Sequence, residues 1–392
     1  MPAVRSRLWL TDEIVTALYA QYTACPIHEE SIISSGLSGA SVRLVSLGTR
    51  SAYAKIGQRR EVEREWWIHK QVRESSLGPH VPEVLCDPLG PVEGWSLILY
   101  APAGQGLLFA GALAEVISKS ARPASQQISK LLETVLSDWP SPAFAMQERH
   151  PQMLLQIMLD IGRKPRSAQL HDRMRDFGYA GKFYPLLTFR PGPKGRPMIL
   201  PNPIAYVLEP TLWKNGRTEA IRPLLSPVHG DLHAENVICR LDRSGRPDAK
   251  QSPALIDFAQ STSRGSSFFD LAYLELDILL RSLPLSGRES WDTWVVLCQH
   301  LASAPLPDEA NLPMGRSEQI WELIAPIRQR VDAIMSTAGQ SDVADGAIIA
   351  EWNWWLAAVA AGVMVARRKN DANGPSQEGA RFQTHDQNEY AK

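Results

Sequence analysis

The tightest constraint in this sequence is a run of oxygen-bearing side chains set between short apolar segments. It reads His229-Gly230-Asp231-Leu232-His233-Ala234-Glu235-Asn236-Val237 and then Ala254-Leu255-Ile256-Asp257-Phe258. Val237 with Ile238, and Leu255 with Ile256, have the character of two short buried strands, which present Asn236 and Asp257 at one end of a hairpin. The polar stretch Asp242 to Lys250 between them is a lengthened hairpin tip that leaves both residues in place. Phosphoryl transfer asks the protein for little covalent chemistry and much positioning: a base beside the acceptor hydroxyl, and oxygen ligands that hold magnesium against the phosphates. Magnesium is a hard cation that takes only one or two carboxylates, with phosphate oxygens and water completing its shell. Asp231, Asn236 and Asp257 can supply those parts. Taken singly, an Asp or Asn in a turn is ordinarily a cap or an Asx-turn residue; the combination carries the reading.

The same residues resemble the catalytic loop of aminoglycoside phosphotransferases, choline kinases and related members of the protein-kinase-like superfamily, written H-G-D-x-x-x-x-N and I-D-F or I-D-W. The likeness extends to Phe269-Asp270-Leu271-Ala272. It implies that Asp231 is the catalytic base, that Asn236 and Asp257 are magnesium ligands, that Asp270 steadies the loop, and that His229 packs rather than carrying a proton. His233 is left open between a hydrogen bond within the loop and an approach to substrate. Ser-Gly-Leu-Ser-Gly-Ala in the first turn and Ile-Asp-Phe-Ala ahead of Asp-Leu-Ala-Tyr-Leu-Glu also resemble a bacterial kinase-like group, the ternary complex associated domains. Those are components of conflict or signalling systems, so this narrower likeness implies signalling-protein partners or a protein or nucleotide-signal acceptor.

The superfamily places a glycine-bearing turn, a strand lysine and a helix glutamate in its N-terminal lobe. Gly36, Ser38 and Gly39 sit in a small-residue turn where backbone can approach phosphate. In Tyr53-Ala54-Lys55-Ile56, alternation buries Ala54 and Ile56 and turns Tyr53 and Lys55 to the other face, so Lys55 is the candidate phosphate-contacting lysine. The segment Glu61 to Arg73 has helical spacing with Glu61, Glu65, Ile68 and Val72 on one face, and Glu65 is preferred over Glu61 as the ion-pair partner. Trp95 to Tyr100 reads as a buried strand followed by a turn, Ala101-Pro102-Ala103-Gly104. By order along the chain this is the hinge, where backbone groups of Tyr100, Ala101 and Ala103 would meet the adenine of ATP or the base of GTP.

A chain of 392 residues accommodates several lobes. The expected fold is α+β, a two-lobed protein-kinase-like fold with a small β-rich N-lobe and a larger, mostly helical C-lobe. The segments are 1–104 as N-lobe, 105–226 as a helical and loop insertion shaping the acceptor region, 227–369 as catalytic loop, metal hairpin and C-terminal helices, and 370–392 as a disordered polar tail. In the insertion, Leu107 to Ile117, Ser125 to Leu136 and Pro151 to Ile161 have helical spacing, and Phe189 to Pro197 is rich in breakers. A net charge of −1 gives no electrostatic case for nucleic acid. Cys25, Cys86, Cys239 and Cys298 show no metal spacing and no disulfide framework, which fits the cytoplasm. Trp354 to Ala366 is shorter than the ~20 residues a spanning helix needs, so no membrane contact is expected. It reads as a core helix packed through Ile348, Trp352, Trp355, Val359 and Val363.

These features converge on an ATP- and magnesium-dependent phosphotransferase with an alcohol group as acceptor. Only 12 residues separate Asp257 from Asp270, and no Ala-Pro-Glu motif occurs there; this is too short for the activation segment of eukaryotic-like protein kinases and favours a small-molecule acceptor. Two alternatives stand. One is a kinase-like module that binds nucleotide or partners without catalysis; the other is a hydrolase holding a transition metal on His229, Asp231 and His233.

Overall fold

The structure, a computed structural model, describes residues 10–35, 40–102, 110–119, 123–161, 186–189, 198–213, 220–282, 301 and 316–367. Its elements in chain order are α1 (Asp12–Tyr19), β1 (Ile27–Ser35), β2 (Ser41–Leu47), β3 (Arg50–Gln58), α2 (Arg59–Arg73), β4 (Leu89–Val92), β5 (Trp95–Tyr100), β6 (Ala110–Ala112), α3 (Leu113–Lys119) and α4 (Pro123–Ser137). There follow β7 (Ala143–Phe144), α5 (Pro151–Met158), β8 (Leu186–Phe189), β9 (Met198–Pro201), α6 (Pro203–Leu208), β10 (Leu224–Val228), β11 (Val237–Arg240), β12 (Ala254–Leu255) and β13 (Thr262–Ser266). The last are α7 (Phe269–Ser282), α8 (Arg316–Gly339) and α9 (Gly346–Arg367). The class is α+β, with a β-rich unit and a mainly helical one. The first unit is Met1–Val116 with Ser137–Pro140 and Glu235–Ser261, and the second is Ile117–Leu136, Ser141–Ala234 and Thr262–Lys392.

The first unit is built on a five-stranded antiparallel sheet of order β1-β2-β3-β5-β4. Strict alternation in β2 and β3 sorts the side chains. Val45, Leu47, Ala52, Ala54 and Ile56 join Trp95, Leu97 and Leu99 of β5 in a core closed by Ile14, Val15 and Leu18 of α1. The register Tyr53↔Tyr100 and Lys55↔Ile98 sends those side chains to the other face. A smaller sheet of order β12-β11-β6 holds the hairpin read from the sequence, with Val237 opposite Leu255 and Ile238 opposite Ala254.

In the second unit the sheet of order β13-β10-β7 lies among helices. Arg328 of α8 ties them together. Its Nη2 donates to Glu275 Oε1 of α7 at 2.6 Å, Nη1 donates to the Leu301 carbonyl at 3.3 Å, and the guanidinium lies 4.9 Å from the ring centroid of Trp354 in α9.

The face that α9 buries differs from the expected one. Val363 is buried, but Ile348, Trp352 and Val359 are 56%, 54% and 38% exposed, while Trp354, Ala357, Ala360 and Ala361 are inside. The helix is apolar nearly all round, so spacing alone does not select a face. Asn353 helps fix the rotation: its Oδ1 accepts from the Leu224 N–H at 3.0 Å and its Nδ2 donates to the Arg222 carbonyl at 3.1 Å. The length argument also changes. Gly346–Val365 is long and apolar enough to cross a membrane by length and composition, and 50% of that window is buried in the protein.

The expected glycine turn at Gly36, Ser38 and Gly39, residue Ala103, Cys298, loop residues 190–197 and the tail 370–392 lie outside the described residues.

Gly265 of β13 faces Ser226 of β10, and a Cβ there would lie 2.2 Å from Val228 Cγ2. Valine is stiff at χ1 and cannot swing aside. Gly265→Ala is expected to lower unfolding free energy by about 1–3 kcal/mol in urea titrations.

Candidate functional site

In the first unit, four side chains from the sheet face that α2 covers, from α2 and from the hairpin form one network. Lys55 Nζ lies 2.7 Å from Glu65 Oε2 and donates to Asp257 Oδ1 at 2.9 Å. Tyr100 donates its hydroxyl to Glu65 Oε1 at 2.9 Å. Burial alone would depress the Lys55 ammonium, but the two carboxylates outweigh it and raise its pKa to about 12, so the lysine is charged. Burial pushes Glu65 upward while Lys55 pulls it back. Glu65, not Glu61, contacts the lysine, because it faces inward one turn further along α2 and is 4% exposed.

Asp257 lies just after β12, with φ 64 and ψ 64. This left-handed conformation is rarely adopted by L-residues other than Asn and Asp. It turns the carboxylate out of the strand line, leaving the side chain 45% exposed and bonded to Lys55. Asn236 is buried where β11 begins, and its carbonyl accepts from the Ile256 N–H at 3.0 Å, so the hairpin ladder places the amide residue across from the one preceding Asp257.

His69, one turn beyond Glu65, braces this network. Its ring lies 5.4 Å from Phe258 in edge contact and 5.1 Å from Tyr100. Burial lowers its pKa to about 4, so the neutral imidazole donates from Nε2 to the Pro82 carbonyl at 2.6 Å. At the end of β5, the Ala101 N–H donates to Glu83 O at 2.7 Å, and residue 102 is a proline. That corrects the expectation for Ala101 in part: its N–H already serves the strand edge, and only its carbonyl is left to meet a base.

In the second unit, the loop bearing Asp231 hangs from α7. Asp270, fully buried, accepts from the His229 N–H at 2.6 Å and the Gly230 N–H at 2.8 Å. Asp277 accepts from the Ala234 N–H at 2.8 Å and from Arg281 Nε at 2.9 Å. Seven residues are close to two helical turns, so Asp270 and Asp277 project from one face. Gly230 has φ 78, which the chain needs in order to turn both N–H groups onto one carboxylate. His229 is buried in the loop. The Asp231 side chain is 26% exposed, with His233 Nε2 4.0 Å from its Oδ2, a separation beyond hydrogen-bond range. Among the described residues no group of three or more His, Cys, Asp or Glu side chains is arranged to hold a metal, so the set His229, Asp231 and His233 is not brought together as one.

Tyr100, His69 and Asp277 were not singled out for their side chains by the sequence. Asp277 had a legible signal, its spacing from Asp270; Tyr100 and His69 act through contacts that no local pattern reports.

Residues 197–343 match the family model described as Ternary complex associated domain 9. No curated protein matches the sequence. Among solved structures, a thermostable mutant of the aminoglycoside phosphotransferase APH(4)-Ia is 12% identical, with a TM-score of 0.38 and coverage of 90% of this chain and 98% of that one. The aminoglycoside-3'-phosphotransferase of type VIII is 16% identical, with a TM-score of 0.37 and coverage of 81% and 98%. Choline kinase LicA from Streptococcus pneumoniae is 13% identical, with a TM-score of 0.33 and coverage of 89% and 98%.

Asp270→Asn keeps the volume but turns one of two acceptor oxygens into a donor facing a buried N–H. It is expected to cost about 1–3 kcal/mol in denaturant melts. His69 gives a pH dependence of known sign. In the unfolded chain it takes up a proton near 6.5, whereas in the fold it stays neutral to about 4. Its contribution is therefore fully present above pH 6.5 and is lost as pH falls toward 4, on the order of 3 kcal/mol in all. His69→Gln should flatten stability against pH across that interval.

Proposed function

We propose that this chain, whose residues 197–343 match Ternary complex associated domain 9, is a phosphotransferase that moves the terminal phosphoryl group of ATP or GTP onto a hydroxyl of a small acceptor. The observation that carries the reading is the charged Lys55 held between Glu65 and Asp257. A lysine so fixed offers a positive charge without losing side-chain freedom when a phosphate arrives.

The donor set fits magnesium. Asp257 and Asn236 bring one carboxylate and one amide oxygen, the hard ligands this ion takes alongside phosphate and water. Charge agrees too: two carboxylates against one ammonium leave the Lys55 cluster with one negative charge in excess, which a cation would offset. Asn236 and Asp257 would hold the ion, which when bound neutralises charge building on the transferring phosphoryl oxygens. Lys55 neutralises further phosphate charge, and Glu65, steadied by Tyr100, keeps Lys55 from swinging to solvent. Asp231 accepts the acceptor's hydroxyl proton as the oxygen attacks, and Asp270 and Asp277 hold its loop in place.

A small acceptor is favoured because the chain from Asp257 reaches α7 directly through β13, which starts at Thr262 and ends at Ser266. That leaves no long segment for docking an extended polypeptide. Among the described residues Cys25, Cys86 and Cys239 are free thiols, which agrees with the cytoplasmic setting we propose.

Asp231→Asn preserves the shape of the loop and removes the base. Nucleotide affinity, followed by titration calorimetry with Mg-ATP and Mg-GTP, should be nearly unchanged. Turnover, followed by ADP or GDP release with aminoglycoside-type and choline-type alcohols, should fall by about 10²–10⁴-fold. Turnover equal to that of the parent chain would sink the assignment. Nucleotide binding with no magnesium-dependent hydrolysis in the parent chain would favour the non-catalytic binding module.

A further inference from the structure

A second cluster in the first unit plays no part in the chemistry above. The imidazole of His80 is 2% exposed and both its nitrogens are engaged, with Nε2 2.9 Å from Asp138 Oδ2 and Nδ1 2.7 Å from Ser252 Oγ. For the neutral imidazole the wiring selects one tautomer. An ionised carboxylate only accepts, so Nε2 carries the proton and donates it to Asp138. Nδ1 is then a bare lone pair, and Ser252 must be the donor. A hydroxyl pointing its proton at an imidazole lone pair, with a carboxylate fixing the far side of that imidazole, is the arrangement by which a weak oxygen nucleophile is activated. The ring nitrogens are used in the reverse sense from a protease triad, but the roles depend on distance and protonation, not on which nitrogen faces the serine.

Access and anchoring fit the same role. Ser252 is exposed, so an electrophile reaches its oxygen, while His80 is shielded and keeps its orientation. The Asp138 segment is held by Ser76, whose hydroxyl donates to the Asp138 carbonyl at 2.6 Å. Ser252 follows the hairpin tip at Asp242 to Lys250, a length of chain that placing Asn236 and Asp257 does not require.

We propose that Ser252 is a second nucleophilic site, activated by His80 and Asp138, that takes acyl or phosphonyl groups from activated donors. In the step, Ser252 Oγ bonds to the electrophilic carbon or phosphorus, its proton passes to His80 Nδ1, and the leaving group departs with its bonding pair. The resulting imidazolium is stabilised by Asp138 and returns the proton to solvent. The product is a stoichiometric covalent adduct.

The test is labelling of the full chain with a biotin-tagged fluorophosphonate, without nucleotide, so that the result does not depend on the phosphotransfer reading. A P–O bond to Ser252 forms and fluoride leaves. Peptide mass spectrometry should place the adduct on Ser252, and Ser252→Ala should abolish it. His80→Gln should slow labelling by about 100-fold or more. His80 is buried and that variant can misfold, so Asp138→Asn, altered at a half-exposed side chain, provides the second measurement. It should label at least about 10-fold more slowly with an unchanged circular dichroism spectrum. No adduct on Ser252 in the folded parent chain, or equal labelling rates in the parent chain and Asp138→Asn, would overturn the proposal.

Discussion

The candidate site depends on one ammonium group. Lys55 projects from the centre of a sheet whose other face is sealed by α1, and it is caught between a carboxylate on α2 and one at the end of a hairpin. Each partner is itself constrained: Glu65 by the Tyr100 hydroxyl, Asp257 by a left-handed backbone angle. Breaking a buried pair by removing one member typically costs about 3–5 kcal/mol, since the other is left uncompensated. That makes the Lys55–Glu65 pair a demanding thing for a fold to keep.

Much of this was legible in the residues. Period-two alternation in Tyr53-Ala54-Lys55-Ile56 gave the face of the lysine, and the apolar pairs around Asn236 and Asp257 gave the hairpin, because both signals come from burial on one side of a strand. Glu65 was preferred over Glu61 and makes the contact, although both lie on one helix face and it is the rotation of α2 that separates them. The side chains of Tyr100 and His69 were silent, since their partners are distant in sequence. The Ala101 N–H is a related case, claimed by Glu83 through a pairing that the hinge motif does not announce.

The helix α9 shows the opposite limit. Where nearly every residue is apolar, periodicity has nothing to contrast, and the expected seam of Ile348, Trp352 and Val359 turns outward. The buried face instead carries one large side chain, Trp354, among the small Ala357, Ala360 and Ala361. Asn353 then locks the rotation through two backbone groups around β10. One polar residue in an apolar helix was thus more informative about orientation than its many hydrophobic neighbours.

Asp270 and Asp277 bear on how the Asp231 loop moves. Its N–H groups at both ends are gripped by carboxylates of a single helix, and that helix is joined through Glu275 to Arg328 on the next. The loop therefore has no freedom of its own to tune. A tilt or unwinding of Phe269–Ser282 would carry the loop along as cargo, through the three N–H groups that the helix holds.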